Sequence, residues 1–248
     1  RQGEGIEVMG ITFNGVHSST FGLGAKVKRP LLPGNNDSYV SPPGRAGSIL
    51  FPGKPKDRFI PVDFGFMPAS KALFRAKVWE IAAWLYTEER EVLTIDDEPG
   101  KYYIGKVEDE VDLEQAFLLG KFSVVFRCES FAYGEQITTT FTGDSATVAN
   151  SGTYPAPAII EAKFTGAAAE FKVLLGTEYV RVVNAYILND TLKIDTGTGA
   201  VLINGTRAMD KLDWQNSIFF ELAVGNNTLS ITPSGICTAT VKHTPRWL

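Results

Sequence analysis

Cysteine and histidine are scarce, with two of each in 248 residues. Cys128 and Cys237 stand far apart in strand-like surroundings, so a disulfide framework is not expected and a reducing site of synthesis is. His17 and His243 lie near opposite ends, without a Cys, Asp or Glu at metal-ligand spacing. That excludes a short-spaced zinc motif and leaves a general base with no orienting partner, so both histidines read as surface or cap residues. Long apolar runs are missing as well: none approaches the roughly 18–20 residues that cross a bilayer, and no membrane partner is expected. The opening, Arg1 to Gly10, is polar and glycine-rich, unlike a secretory leader, and its lack of an initiator Met suggests that the natural N-terminus was trimmed or lies outside this sequence. Positive charge is also in deficit, 24 Lys and Arg against 28 Asp and Glu. A protein that grips nucleic acid by neutralising phosphates needs a basic face, so that class is disfavoured.

What is present is ordinary globular composition, 44% hydrophobic and 21% charged, distributed unevenly. Threonine occurs 4 times up to residue 135 and 17 times after it, while charged residues fall from 35 to 17. Threonine is β-branched and suits pleated surfaces, so the second part reads as nearly pure β. The shift predicts two domains, residues 1–135 and 136–248. The fold expected is mainly β with one helix. Its N-terminal part is a β-sandwich or split barrel carrying a helix and a long β-hairpin arm, and its C-terminal part a galectin-like or jelly-roll β-sandwich.

The helix follows Pro68. Ser70 can cap it, Phe74, Val78, Ile81 and Leu85 share one face, and Trp79 and Trp84 flank that stripe. Strands are predicted over Glu91–Ile95, Lys101–Val107 and Lys121–Cys128. Between Leu31 and Phe66 the chain is punctuated by proline. The turn Pro42-Pro43-Gly44-Arg45 cannot belong to a central strand, and Ile60, Val62, Phe64 and Phe66 alternate on the return side. This is a hairpin with long arms, and a two-stranded ribbon is marginal in water unless its apolar face packs on something. The subunit-interface residues expected are therefore Pro42, Pro43, Gly44, Arg45, Phe51, Ile60, Val62 and Phe64. In the second part nine short strands are predicted, including Ser217–Leu222, with Thr196-Gly197-Thr198-Gly199 as a hairpin loop.

The motifs that hint at chemistry read better as structure. Gly100-Lys101-Tyr102-Tyr103-Ile104-Gly105-Lys106 has the spacing of a phosphate loop, but Val107 replaces the Ser or Thr that reaches magnesium, and strand formers fill the middle. The acidic run Glu108-Asp109-Glu110, Asp112, Glu114 lacks the central Gly of a calcium loop and reads as a solvated loop. No G-x-S-x-G elbow is present. Sequons begin at Asn36, Asn189, Asn204 and Asn226 and read as chance matches, since Asn-Asp-Thr and Asn-Gly-Thr are also turn chemistry. Tyr154, Tyr179, Tyr186 and Trp214 offer a sugar-binding alternative, a carbohydrate-binding module for attachment to a cell wall, against the plainer reading of strand aromatics as core. No catalytic group, cofactor or metal is expected.

The order of segments along the chain carries a resemblance. Ile11-Thr12-Phe13-Asn14-Gly15-Val16-His17-Ser18-Ser19-Thr20-Phe21-Gly22-Leu23, then Pro43-Gly44-Arg45-Ala46-Gly47, Ile81–Leu85 and Gly120–Cys128 resemble the first domain of the siphophage distal tail protein (Dit) family. Asn150–Pro157, Ile194–Gly199, Asn204-Gly205, Trp214 and Gly225–Thr228 resemble its second, without the inserted sugar-binding module that some members carry. The resemblance implies a non-enzymatic structural subunit of the virion, made in the bacterial cytoplasm and placed at the distal end of the phage tail. It implies a homo-oligomeric, hexameric ring whose hairpin arms clasp the next subunit. The ring would join the major tail tube protein and the tape-measure protein to the tail-tip or baseplate protein, and double-stranded DNA would pass through without specific binding. A net charge of −4 is compatible with such a conduit, and head-to-tail contacts that close make rings.

Overall fold

The computed structural model describes residues 9–66, 71–108 and 121–248, without the side chains of residues 66 and 71–76. The chain divides into two compact units between Tyr133 and Gly134. Both are antiparallel β structures, and the single α-helix among the described residues belongs to the first.

The first unit contains β1 (Ile11–Phe13), β2 (Val16–His17), β3 (Leu23–Val27), β4 (Ser38–Val40), β5 (Ile49–Phe51), β6 (Arg58–Phe66), α1 (Lys71–Leu85), β7 (Glu91–Ile95), β8 (Tyr103–Val107), β9 (Lys121–Cys128) and β10 (Ala132–Tyr133). Seven of these form one sheet in the order β2-β1-β7-β8-β9-β6-β3. Just ahead of β1, the Met9 carbonyl accepts the Ala25 amide of β3 at 2.8 Å, so the sheet curls until its ends meet, the split-barrel form. Period-two alternation builds the interior: Ile60, Val62 and Phe64 of β6 and Val124, Phe126 and Cys128 of β9 are buried, while Phe59 and Arg127 face out. The segment that imitates a phosphate loop is the Asp96–Gly100 turn followed by β8. Its second glycine has a packing reason: a Cβ on Gly105 would come within 2.5 Å of Cys128 Sγ.

Helix α1 docks through Ile81, Trp84 and Leu85, an i, i+3, i+4 stripe. Trp84, expected to flank the stripe, is its centre. Its indole Nε1 donates to the Phe13 carbonyl at 2.9 Å, and its rings meet Phe13 and Phe64 edge-on at 6.4 and 6.0 Å. Trp79 is the flanking one, 77% exposed. The cap Ser70, the side chain of Phe74 and the acidic residues Asp109 to Glu114 lie outside the described residues.

The second unit contains β11 (Ile137–Phe141), β12 (Ser145–Asn150), β13 (Ala158–Phe164), β14 (Ala168–Leu175), β15 (Glu178–Tyr186), β16 (Thr191–Asp195), β17 (Ala200–Ile203), β18 (Thr206–Arg207), β19 (Gly225–Thr232), β20 (Cys237–His243) and β21 (Arg246–Trp247), all but the last in a two-sheet sandwich. A six-stranded sheet runs β11-β20-β13-β16-β17-β18 and a four-stranded one β12-β19-β14-β15. The core fills the space between them, with Tyr186 stacked on Phe164 at 4.0 Å and Phe171 edge-on to it.

Two strand expectations change. Ser217–Leu222 is irregular: Leu222 makes one bridge to Ala156, and the Ser217 hydroxyl accepts the Arg181 amide at 3.0 Å. Phe220 and Leu222 serve as a buried plug and Ile218 is exposed, so the run does not alternate as a strand must. Conversely Ser145–Asn150, polar enough to pass for a loop, pairs along its whole length with β19. Asn150 at its end is buried and spends its amide on the Tyr154 and Leu222 carbonyls.

His243 also departs from expectation, since it is 2% exposed with both ring nitrogens unpartnered. Burial holds its pKa below the ordinary 6.5, and the nearby Ala149 backbone opposes the shift only in part.

Two outcomes are expected. Trp84→Ala should lower the stability of the first unit by about 3–5 kcal/mol, seen as an earlier urea transition for that unit alone. Because the unfolded chain takes up the His243 proton more readily than the folded one, the second unit should lose stability as pH falls below about 6.5. The slope should reach at most ~1.4 kcal/mol per pH unit, and His243→Leu should flatten it in urea titrations between about pH 7 and 5.

Candidate assembly surface

A long arm leaves the first unit between β3 and β6, and both its legs are fastened by charge. On the outgoing leg Arg29 pairs with Asp97 and, at 2.8 Å, with Glu98. Glu98 also accepts the Lys101 ammonium at 3.1 Å and the Tyr103 hydroxyl at 2.8 Å. Burial alone would raise the Glu98 pKa, yet these donors hold it below the usual carboxylate range. The same burial, with the Glu98 carboxylate beside it, pushes the Tyr103 phenol up to about 12. On the return leg Asp57 accepts Arg127 at 2.6 Å and Arg90 at 2.9 Å. Those two guanidiniums outweigh the partial burial of Asp57 and keep it ionised to lower pH than a free carboxylate.

Between the legs the strands stay tied. Asn36 donates to the Lys54 carbonyl at 3.0 Å, Lys56 to Gly34 at 2.7 Å, and Gly53 to Asp37 Oδ1 at 2.8 Å. A Cβ on Gly53 would lie 2.0 Å from the Asn36 carbonyl oxygen, so only glycine permits this crossing. Beyond it β4 and β5 pair as Ser38↔Phe51, Tyr39↔Leu50 and Val40↔Ile49. The tip turns through Pro42–Gly47, with Gly44 and Gly47 at positive φ.

The ribbon is apolar and uncovered: Tyr39, Val40, Leu50 and Phe51 are 65%, 50%, 48% and 53% exposed, and Leu31 on the outgoing leg is 88% exposed. Fully burying one such side chain is worth ~1.5–3 kcal/mol, so a rigid ribbon that leaves four of them in water has unused association energy. Of the interface residues expected from the sequence, Pro43, Gly44, Arg45 and Phe51 are exposed on this arm and Pro42 is half-buried at its tip. Ile60, Val62 and Phe64 are corrected. They are 0%, 0% and 1% exposed, because β6 lies between β9 and β3 and turns them into the barrel. The exposed apolar residues that sequence reasoning passed over are Leu31, Leu32, Tyr39, Val40 and Leu50. Their signal was present in the β-branched and aromatic residues on both sides of the proline turn.

Elsewhere the fold brings together one set of chemistry-bearing side chains that spacing could not show. His17 Nε2 lies 3.2 Å from Asp96 Oδ2, and its Nδ1 is 2.6 Å from the Ser19 hydroxyl. Nδ1 also receives the Ser19 amide, and Asp96 Oδ2 the Gly10 amide at 2.8 Å. Both ends of the imidazole are thus spent on capping the 3-10 turn Ser18–Phe21 and tying it to β7. Cys128 and Cys237 are buried and unpaired. Burial pushes the Cys128 thiol up to about 12 and Cys237 upward too, so neither supplies a thiolate at neutral pH. Among the described residues no three His, Cys, Asp or Glu side chains are placed to hold a metal ion, and no helix is long and apolar enough to cross a membrane. Of the aromatics offered for sugar binding, Tyr186 is in the core, Lys172 covers the Tyr179 ring at 3.8 Å, and Trp214 is 74% exposed. Asn189 and Asn204 sit at positive φ, which fits their reading as turn residues.

Two family models divide the chain between them. The model of the phage tail protein RIFT-related domain matches residues 16–128, and that of the siphovirus-type tail component, C-terminal domain, matches residues 151–247. Both models describe domains of phage tail proteins. The distal tail protein of Bacillus phage SPP1 is 28% identical over 132 residues, a match spanning 49% of this chain and about half, 52%, of that protein's length. The crystal structure of SPP1 Dit, described as a paradigm of the hub adsorption apparatus in phages infecting Gram-positive hosts, superposes with a TM-score of 0.79 at 20% identity, covering 98% of this chain and all of that one. The two models together lie along most of the chain, which is similar in sequence and in fold to siphophage distal tail proteins. None of these matches adds support to the sugar-binding alternative.

Gly53→Ala should loosen the arm without touching the barrel core. Limited proteolysis should show faster cleavage between residues 30 and 57, while the thermal midpoint of the first unit moves by less than about 2 °C.

Proposed function

We propose that this chain is a structural hub subunit of a siphophage tail tip or baseplate, acting by assembly and not by catalysis. The first domain, residues 1–135, forms a homo-oligomeric ring, six-membered as in the family resemblance. Each arm lies against the next subunit, and residues 136–248 form a lectin-like sandwich. The ring links the tail tube and tape-measure proteins on one side to the tail-tip or baseplate protein on the other, at the distal end of the virion, and double-stranded DNA passes through it. The subunit is synthesised in the host cytoplasm. The observation that carries this reading is the arm itself, a hairpin braced at both legs yet exposing Tyr39, Val40, Leu50 and Phe51. A head-to-tail interface of this kind closes into a ring when the rotation closes.

Deleting residues 34–56 tests it. The Gly34 carbonyl and the Lys56 amide already meet at 2.7 Å, so a short linker can rejoin the legs. Light scattering and negative-stain electron microscopy should show rings for the intact chain and monomers of unchanged circular dichroism for the deletion. Rings of normal size without the arm would sink the proposal, as would turnover of a wall substrate by a strictly monomeric chain.

A further inference from the structure

The outer face of the six-stranded sheet in the second unit holds a groove of about 570 Å³ across β20, β13, β16 and β17. One rung crosses the entire sheet, Thr140–Thr240–Glu161–Lys193–Leu202–Arg207, and the next places Lys163 between Thr238 and Thr191. Glu161 supplies the negative charge of the groove, and Lys242 already neutralises it at 2.6 Å. Lys163 and Lys193, diagonal neighbours on adjacent strands and both exposed, form no ion pair among the described residues, and Arg207 at the sheet edge adds a third such cation. Asp195 on this face is engaged by the Gly197 and Thr198 amides, and Asp190, beside the groove-lining Thr191, accepts the Asn204 side-chain amide at 2.9 Å. A local excess of positive charge thus sits beside threonine hydroxyls, in a chain whose net charge is −4.

We infer that this groove binds a phosphate-bearing polyol chain, a polymer that alternates phosphodiester anions with hydroxyls. Cations on neighbouring strands meet successive phosphates, and Thr191, Thr238 and Thr240 exchange hydrogen bonds with the hydroxyls between them. The lining contains no aromatic residue. That disfavours a neutral sugar, which would stack on an aromatic face, and a single-stranded nucleic acid, whose bases need the same platform. An added peptide strand is disfavoured because the groove is mid-sheet, where no backbone edge is free. The inference does not depend on ring assembly.

The test uses the full chain and isothermal titration with purified poly(glycerol phosphate), with dextran and duplex DNA as comparison polymers. Binding of poly(glycerol phosphate) alone is expected, weakening roughly tenfold or more as salt rises from about 50 to about 500 mM. The double variant Lys163→Gln, Lys193→Gln should weaken it by roughly tenfold again, whereas Lys163→Arg, Lys193→Arg should retain it. Both pairs are exposed, so circular dichroism should stay unchanged. Absence of binding, equal binding of dextran or DNA, or an unaffected glutamine variant would each overturn the inference.

Discussion

The arm is held at its root by two charge clusters, Arg29 against Asp97 and Glu98 on one leg and Asp57 against Arg90 and Arg127 on the other. A two-stranded ribbon buries too little to keep itself in one place. Here ion pairs at its base and the Gly53 crossing perform the ordering that a third strand would normally supply. The entropy of fixing the arm is spent before any partner arrives, so more of the energy of covering Tyr39, Leu50 and Phe51 remains for association. The arrangement makes sense only if the ribbon has somewhere to go.

The same division of labour runs through both units. Their interiors are conventional: alternating strands, a helix keyed in by Trp84, a sandwich packed around Phe164 and Tyr186. Three of the buried titratable groups are held in their neutral forms, Cys128 and Tyr103 by raised pKa values and His243 by a lowered one. The serine, histidine and carboxylate that do meet, Ser19, His17 and Asp96, are consumed in closing a turn. The exposed surfaces differ in kind, an apolar ribbon on the first unit and a cationic groove on the second.

Much of this was legible in the residues. Alternation along Ile60–Phe64 and Phe122–Cys128 gave strands, the stripe through Ile81 and Leu85 gave the helix, and the proline-rich stretch around Pro42-Pro43-Gly44 gave a projecting hairpin. The failures share a cause. Alternation announces that one side of a strand is buried, not what buries it, so Ile60, Val62 and Phe64 were assigned to a neighbour when they belong to their own barrel. Ser217–Leu222 and Ser145–Asn150 exchanged roles because a polar strand can be held by pairing with β19, while an apolar run can plug a core without any pairing.

By itself, then, the sequence determined the local quantities: which segments extend, where the chain turns, how charge and threonine divide between two parts, and which chemistries lack their side chains. Those depend on residues a few positions apart. Only the tertiary structure decided that β6 is interior and β4–β5 exterior, that His17 meets Asp96 across 79 positions, that His243 is enclosed, and that Lys163 and Lys193 share a groove. Each of these depends on which strands become neighbours, and strand order is fixed by the closing of whole sheets, a choice that no short window of sequence contains.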